Sequence, residues 1–268
     1  MVDTHIDIAF SPCPNDTFIF HAMLHGLVNN NGLNFKHHMD DIEALNKKAV
    51  LKTFHVTKLS FFAYLKLKQY YEILDAGSAL GFGCGPLLIC KDPGINLETA
   101  KIAIPGELTT ANLLLKLWNP KIKRTIVTRF DNILPGVKSG EFDAGLIIHE
   151  SRFVYREFAL KKIIDLGFWW EQETGQPIPL GCIAIRKDNF LINRKKDIES
   201  TIKNSITFAL NNRDASTQFI KTHAQELDDT VIKEHINLYV NDFTLCLGEK
   251  GRKAIKILEE MAKWKKIV

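Results

Sequence analysis

Gly85-Pro86-Leu87-Leu88-Ile89-Cys90-Lys91 and Gly181-Cys182-Ile183-Ala184-Ile185-Arg186-Lys187 follow one pattern: a glycine, a continuous apolar run, and a basic end. An apolar run of this length without alternation suits a strand buried on both faces. The first opens, and the second follows, a series in which short strand-like runs alternate with helical ones. The pair therefore reads as the outgoing and returning crossings of a chain that visits a second α/β lobe and comes back.

Working outward, the first series opens with a strand at His5 to Phe10 and a helix from Thr17 to Leu24, closed by Gly26. A strand at Asn34 to His38, a helix from Asp41 to Leu51, a strand at Phe54 to Thr57 and a helix from Ser60 to Leu67 follow. Glu72 to Leu74 then leads into the glycine-rich Gly77 to Gly85. This βαβαβ rhythm predicts a mainly parallel sheet covered by helices.

The second series runs through strands at Pro86 to Cys90, Lys101 to Ile104, Thr125 to Thr128 and Ala144 to Ile148. Between them lie helices at Thr109 to Trp118 and Ile133 to Ser139, with another at Ser151 to Leu160. From Asn193 onward the pattern is helical. No Pro/Gly/Ser-rich linker separates the halves. The expected organisation is a first, discontinuous lobe of residues 1–89 plus 182–268, carrying C-terminal helices, and a second lobe of residues 90–181. A two-lobed clamp of this kind places its ligand between the lobes, at the carboxyl ends of the strands.

Composition excludes several classes. With 268 residues, 46% hydrophobic and 25% charged, the chain has enough apolar surface to fold and is not disordered. Its net charge of +4 is small, and the basic side chains are not clustered with aromatics, so no nucleic-acid partner is expected. The densest basic segment, Lys250 to Lys266, sets lysines opposite Ala254, Ile257, Leu258, Met261 and Trp264, as on a solvated helix with a packed face. No apolar run is long enough to span a bilayer, so no membrane partner is expected. Five scattered cysteines form no Cys-x-x-Cys, and Met1 to Phe10 lacks the features of an export leader. A reducing cytoplasm is the expected compartment. The oligomeric state is left open.

Ser11-Pro12-Cys13-Pro14-Asn15-Asp16-Thr17-Phe18 lies where a ligand-binding loop belongs, between a strand and a helix. Two prolines stiffen it, and Asn15 or Asp16 can cap the helix; free helix N–H groups can also hold an anion. Cys13 has no basic neighbour in sequence to lower its pKa, which argues against a nucleophile. Val56-Thr57-Lys58-Leu59-Ser60 offers a cation and a hydroxyl at a helix start, or simply a surface lysine beside a cap. Pro105-Gly106-Glu107-Leu108-Thr109-Thr110 repeats the arrangement in the second lobe. Together these mouths suggest recognition of an oxygen-rich, carboxylated small molecule.

The glycine cluster before Gly85 lacks a P-loop lysine and precedes a strand, so it reads as a tight connection. His149 ends the apolar strand Ala144 to Ile148 and is the strongest acid–base candidate, since it faces the cleft mouth; a structural histidine is the bland alternative. His21 and His25, four apart on a helix, have no evident third ligand, and no metal site is expected.

The Ser11 to Phe18 motif, Thr57-Lys58-Leu59-Ser60 and Gly145-Leu146-Ile147-Ile148-His149-Glu150 closely resemble the 1,4-dihydroxy-6-naphthoate synthases of the futalosine route to menaquinone. The resemblance covers essentially the whole chain, in order and spacing. It implies a type II periplasmic-binding-protein-like fold of two α/β lobes around a central cleft, in a cytoplasmic enzyme. It also implies conversion of cyclic dehypoxanthinylfutalosine to 1,4-dihydroxy-6-naphthoate, with release of a sugar-derived fragment.

On the same grounds His149 is the expected proton acceptor, and Lys58, Leu59, Ser60, Thr109 and Thr110 lie at the substrate. Asn15 and Asp16 join them from their loop position. Forming an aromatic bicycle supplies driving force, so no cofactor or metal is expected. The alternatives are chorismate dehydratase, of the same pathway and fold, and a non-catalytic solute-binding protein. The Ser-Pro-Cys-Pro-Asn-Asp loop argues against the first, and the lack of a leader against the second.

Overall fold

The first strand, β1 (His5–Phe10), has Ile6, Ile8, Ala9 and Phe10 fully buried, as expected for the interior of a covered sheet. It is seen in a computed structural model that describes residues 5–224 and 228–268. The start of the leader reading, Met1 to Thr4, lies outside these residues. After β1 come α1 (Pro14–Leu24), β2 (Asn34–Met39), α2 (Ile42–Val50), β3 (Val56–Ser60), α3 (Phe61–Leu67), β4 (Tyr71–Ile73) and β5 (Ala79–Gly81). A second group follows: β6 (Leu87–Cys90), β7 (Ile102–Ile104), α4 (Thr110–Trp118), β8 (Thr125–Val127) and α5 (Phe130–Ser139). It continues with β9 (Ala144–Ile147), α6 (Ser151–Val154), β10 (Lys161–Asp165) and α7 (Leu166–Thr174). The chain then returns through β11 (Ile178–Arg186) and ends in α8 (Asn189–Asn211), α9 (Thr217–His223), α10 (Asp229–Tyr239), α11 (Asp242–Leu245) and α12 (Gly248–Trp264).

Two sheets result. The first has the order β2-β1-β3-β11-β4, with β5 also paired to β11; the second has the order β10-β6-β9-β7-β8. The chain crosses from one sheet to the other between Gly81 and Leu87 and returns between Asp165 and Ile178. The two matched apolar runs are thus strands of different sheets, each lying just beyond a crossing rather than forming it. At the crossings Gly85 meets Gly167 backbone to backbone: a Cβ on Gly85 would sit 2.2 Å from the Gly167 Cα. Only glycine permits that approach.

The sheets are more mixed than the βαβαβ rhythm predicts. β1 runs parallel to β2 and β3, but β11 is antiparallel to β3, β4 and β5. A strand returning from the other lobe enters the sheet from the opposite end, which periodicity along the chain does not reveal. The same pairing lengthens β3: Gly181, Cys182 and Ile183 lie beside Ser60, Leu59 and Lys58. Thr57 to Ser60 are therefore strand residues, not a loop after a strand ending at Thr57.

Other differences are local. The helix expected at Ser151 to Leu160 stops at Val154 and tightens into a 3₁₀ turn, Tyr155–Phe158, ended by Ala159 at φ 57°. β5, β10 and α7 are short elements that the sequence does not signal. In α12, Ala254 and Leu258 are fully buried as expected, while Trp264 is 78% exposed, with Lys265 over its ring. The packed stripe ends before the helix does. One core, containing Phe10, Phe18, Phe20, Ile183, Ile185, Ile198 and Ile202, seats α1 and α8 on the first sheet. Ser205 ties them further, its hydroxyl donating to Ile19 O at 2.6 Å. This packing holds the N-terminus of α1 at the carboxyl end of β1, where the cleft lies.

Candidate functional site

Pro14 is tolerated as the first helical residue, so α1 begins three residues before the expected Thr17. Cys13 is therefore the N-cap, with no side-chain cap bond, and Asn15 and Asp16 lie in the first turn instead of capping it. Released from that role, the fully buried Asp16 carboxylate gathers neighbours. One oxygen accepts from Ser11 N at 3.1 Å and Ser11 Oγ at 2.7 Å. The other accepts from Asn15 Nδ2 at 2.8 Å and Lys58 Nζ at 2.6 Å.

Lys58 reaches Asp16 because it sits on β3, next to β1 in the sheet. It is 5% exposed, so it is not a surface lysine. Nor is it an unpaired cation awaiting a substrate, for Asp16 neutralises it. Such a buried pair is costly to desolvate and costlier to break. Ser60 is likewise occupied: Asn46 Nδ2 donates to its hydroxyl at 3.0 Å, and Ser60 N donates to Asn46 Oδ1 at 2.9 Å. Leu59 departs from expectation. Strand alternation turns it away from Lys58 and Ser60, and it is fully buried in the core instead of lining the cleft.

The second lobe supplies the facing wall. Thr109 is the N-cap of α4, its Oγ accepting from Asn112 N at 3.3 Å and donating to Gly106 O at 2.8 Å. Thr110 bridges the lobes: its Oγ donates to Leu180 O at 2.6 Å and accepts from Phe62 N at 3.3 Å. Both hydroxyls are thus engaged in structure. What the helix start offers a ligand are the N–H groups of Thr110 and Ala111, which have no partner within the helix.

Glu43, unforeseen from the sequence, also spans the lobes. Its carboxylate accepts from Glu107 N at 2.9 Å and Leu108 N at 3.1 Å. Burial raises its pKa, against the pull of those N–H groups. The approach requires Gly106, where a Cβ would lie 2.3 Å from the Glu43 carboxyl carbon.

His149 follows β9 at φ 57°, a left-handed conformation uncommon for a residue with a side chain and concentrated at functional sites. Its ring meets Phe130 edge-on, with centroids 5.2 Å apart. It lines the same cleft as Ser11, Asn15, Asp16, Lys58, Ser60, Thr109 and Thr110. Burial drives its pKa down to about 4; Asp16 raises it and Lys58 lowers it further. The imidazole is therefore neutral and able to accept a proton across the physiological range.

Cys13, His149 and Glu150 bring their donor atoms within 4.8 Å of one another, the grouping of metal-ligand type found among the described residues. Burial, followed by the charge of Glu150, pushes the Cys13 thiol well above its ordinary value. This opposes the thiolate needed by a metal or a nucleophile. The His21 and His25 rings lie tilted against each other, His21 tilted and His25 edge-on against Phe219. They have no third ligand among the described residues.

Sequence reasoning also missed Asn46, Leu180, Tyr239 and His235. His235 lies 220 residues from the Asn15 that it touches, and no short-range signal exists for such a contact.

Residues 6–264 match the model of a family described as menaquinone biosynthesis. A Thermus thermophilus protein named 1,4-dihydroxy-6-naphthoate synthase is 42% identical over 92% of this chain and 90% of its own length. A crystal structure of an Archaeoglobus fulgidus protein superposes with a TM-score of 0.93 at 38% identity, covering 98% of each chain. A Candida albicans protein described as having the generic periplasmic-binding-protein fold gives a TM-score of 0.69 at 13% identity, over 99% of this chain and 91% of that one. The two-lobed periplasmic-binding-protein-like fold expected from the sequence is the one observed.

Proposed function

The chain belongs to the menaquinone-biosynthesis family, and on that premise we propose that it is a 1,4-dihydroxy-6-naphthoate synthase, a carbon–carbon lyase acting on cyclic dehypoxanthinylfutalosine. The observation that carries the reading is His149. It is a half-buried imidazole held in a left-handed conformation at a strand end, with its pKa pushed down to about 4 by burial, facing a wall of fixed polar groups.

In this reading the substrate carboxylate sits at the start of α4, where the N–H groups of Thr110 and Ala111 favour an anion. His149 removes a proton near a substrate carbonyl. The Asp16–Lys58 pair contributes a fixed dipole at the cleft wall. Cleavage of the carbon–carbon bond releases the sugar-derived fragment and leaves the aromatic bicycle. One base contributes about 10²–10⁴-fold, so orientation of the substrate between the lobes supplies much of the remainder.

The test is incubation of purified protein with cyclic dehypoxanthinylfutalosine alone and detection of the naphthoate by mass and absorbance. Formation of product supports the assignment. Unchanged substrate beside turnover of chorismate would replace it with a dehydratase. Tight binding without turnover of either would make the protein a solute binder.

A further inference from the structure

We propose that His235 is a positioning residue of this site: its Nε2–H holds the Asn15 side chain against Asp16 and Lys58, so that the C-terminal helices complete the first-lobe wall. The proposal rests on the reading above only for its kinetic part.

The hydrogen-bond geometry determines which atom donates. The Asp16 carboxylate accepts from Lys58, so the Asn15 atom 2.8 Å from it is the amide nitrogen. The other amide atom, Oδ1, then faces His235 Nε2 at 2.9 Å, and Nε2 must carry the proton. A chain of contacts results, from His235 through Asn15 and Asp16 to Lys58, and three of its members line the cleft. Without the histidine, the Asn15 amide keeps its bond to Asp16 but loses the second contact that pins it, and its oxygen is left buried without that donor.

The rest of the pocket around His235 points the same way. The ring is fully buried, lies between Tyr239 and Phe153, and stacks on His149 with centroids 6.2 Å apart. Its Nδ1 is buried with no hydrogen-bond partner, 3.8 Å from Glu150 Oε2. An apolar ring would fill this space without burying that unpaired atom. What an apolar ring cannot supply is the Nε2–H to Asn15.

The test compares His235→Phe, which keeps a ring and loses the donor, with His235→Gln, which restores an amide N–H near the same place. Steady-state kinetics with cyclic dehypoxanthinylfutalosine should show kcat falling about tenfold or more in H235F, the scale of a lost buried hydrogen bond. KM should change by less than about threefold, and H235Q should recover most of kcat. Melting temperatures of both variants separate this from loss of folding. Equal kcat in the two variants, or kcat that follows the melting temperature, would overturn the proposal.

A readout independent of turnover is ¹⁵N NMR of the histidines and of the Asn15 side-chain amide. The expected result is the Nε2–H tautomer for His235, with an Asn15 resonance that moves in H235F and returns in H235Q. An Nδ1–H tautomer, or an unmoved Asn15 signal, would overturn the positioning role even if the protein turned over a different substrate.

Discussion

The two walls of the cleft are built on opposite principles. On the first-lobe wall the polar groups are tied to one another: Asp16 accepts from Ser11, Asn15 and Lys58, and Ser60 is paired with Asn46. On the second-lobe wall the threonine hydroxyls are tied into the fold, while first-turn N–H groups and a neutral His149 remain for a ligand. The difference teaches that the cation read from the sequence, Lys58, is held by Asp16 within its own wall, while the proposed base lies across the cleft. Burial holds the pKa of His149 down against the pull of Asp16, which favours the charged ring, while Lys58 disfavours it.

Substitutions can break this comparison on either side. His149→Asn should lower kcat by about 10²–10⁴-fold while changing substrate affinity by only a few-fold, measured by kinetics and calorimetric titration. Near-normal turnover would remove His149 from the chemistry. On the opposite wall, Asp16→Asn should act first on stability, costing about 3–5 kcal/mol in denaturant unfolding because Lys58 is left buried without its counter-ion. A much smaller loss would mean that the pair is dispensable to the fold.

Between the walls, Glu43→Ala strips the Glu107 and Leu108 N–H groups of their acceptor. It should destabilise the protein by about 1–3 kcal/mol and raise KM more than it lowers kcat. An unchanged KM would show that this bridge has no part in holding the lobes around substrate.

Acidity sharpens the contrast. His149 titrates near 4 when folded but near its ordinary 6.5 when unfolded. Between those values the unfolded chain holds a proton that the folded one lacks, so this group makes stability fall as pH drops from about 6.5 to about 4. Melting temperatures measured across that window should decline, and the decline should be shallower in His149→Asn. The acid limb of kcat/KM should lie near 4 in the same experiment; a limb at 6.5 would mean that the site is wetter than its geometry indicates. The smallest expected effect is that of chelators, which should leave turnover intact, since the chemistry assigned to His149 needs no metal. Strong inhibition would redirect attention to Cys13, His149 and Glu150.

Much of the fold was legible because apolar runs and turn residues act locally. β9 and the apolar runs of the two matched strands announce themselves as unbroken apolar stretches, β1 by its apolar end Ile8-Ala9-Phe10, and Asp41 and Thr109 cap their helices where short-range rules place them. His149 was legible too, because a polar residue at the carboxyl end of a buried strand has few other places to point. The differences have two causes, one tertiary and one local. Leu59 was placed at the substrate although strand alternation buries it, because β3 extends beyond Thr57 only through its pairing with β11. Asn15 or Asp16 could cap by residue type, but Pro14 at the first helical position starts α1 earlier and makes Cys13 the cap.

The sequence alone pointed to an α/β chain with two series of strands and helices, to the loops around the cleft and to His149 as the candidate base, since each follows from neighbours within a few positions. Only the tertiary structure decided that Lys58 is neutralised by Asp16, that Glu43 and Thr110 join the lobes, and that His235 reaches Asn15. Those partners are brought together by sheet pairing and helix docking. The properties they set, namely charge, desolvation and hydrogen-bond direction, depend on distance in space, which position along the chain does not encode.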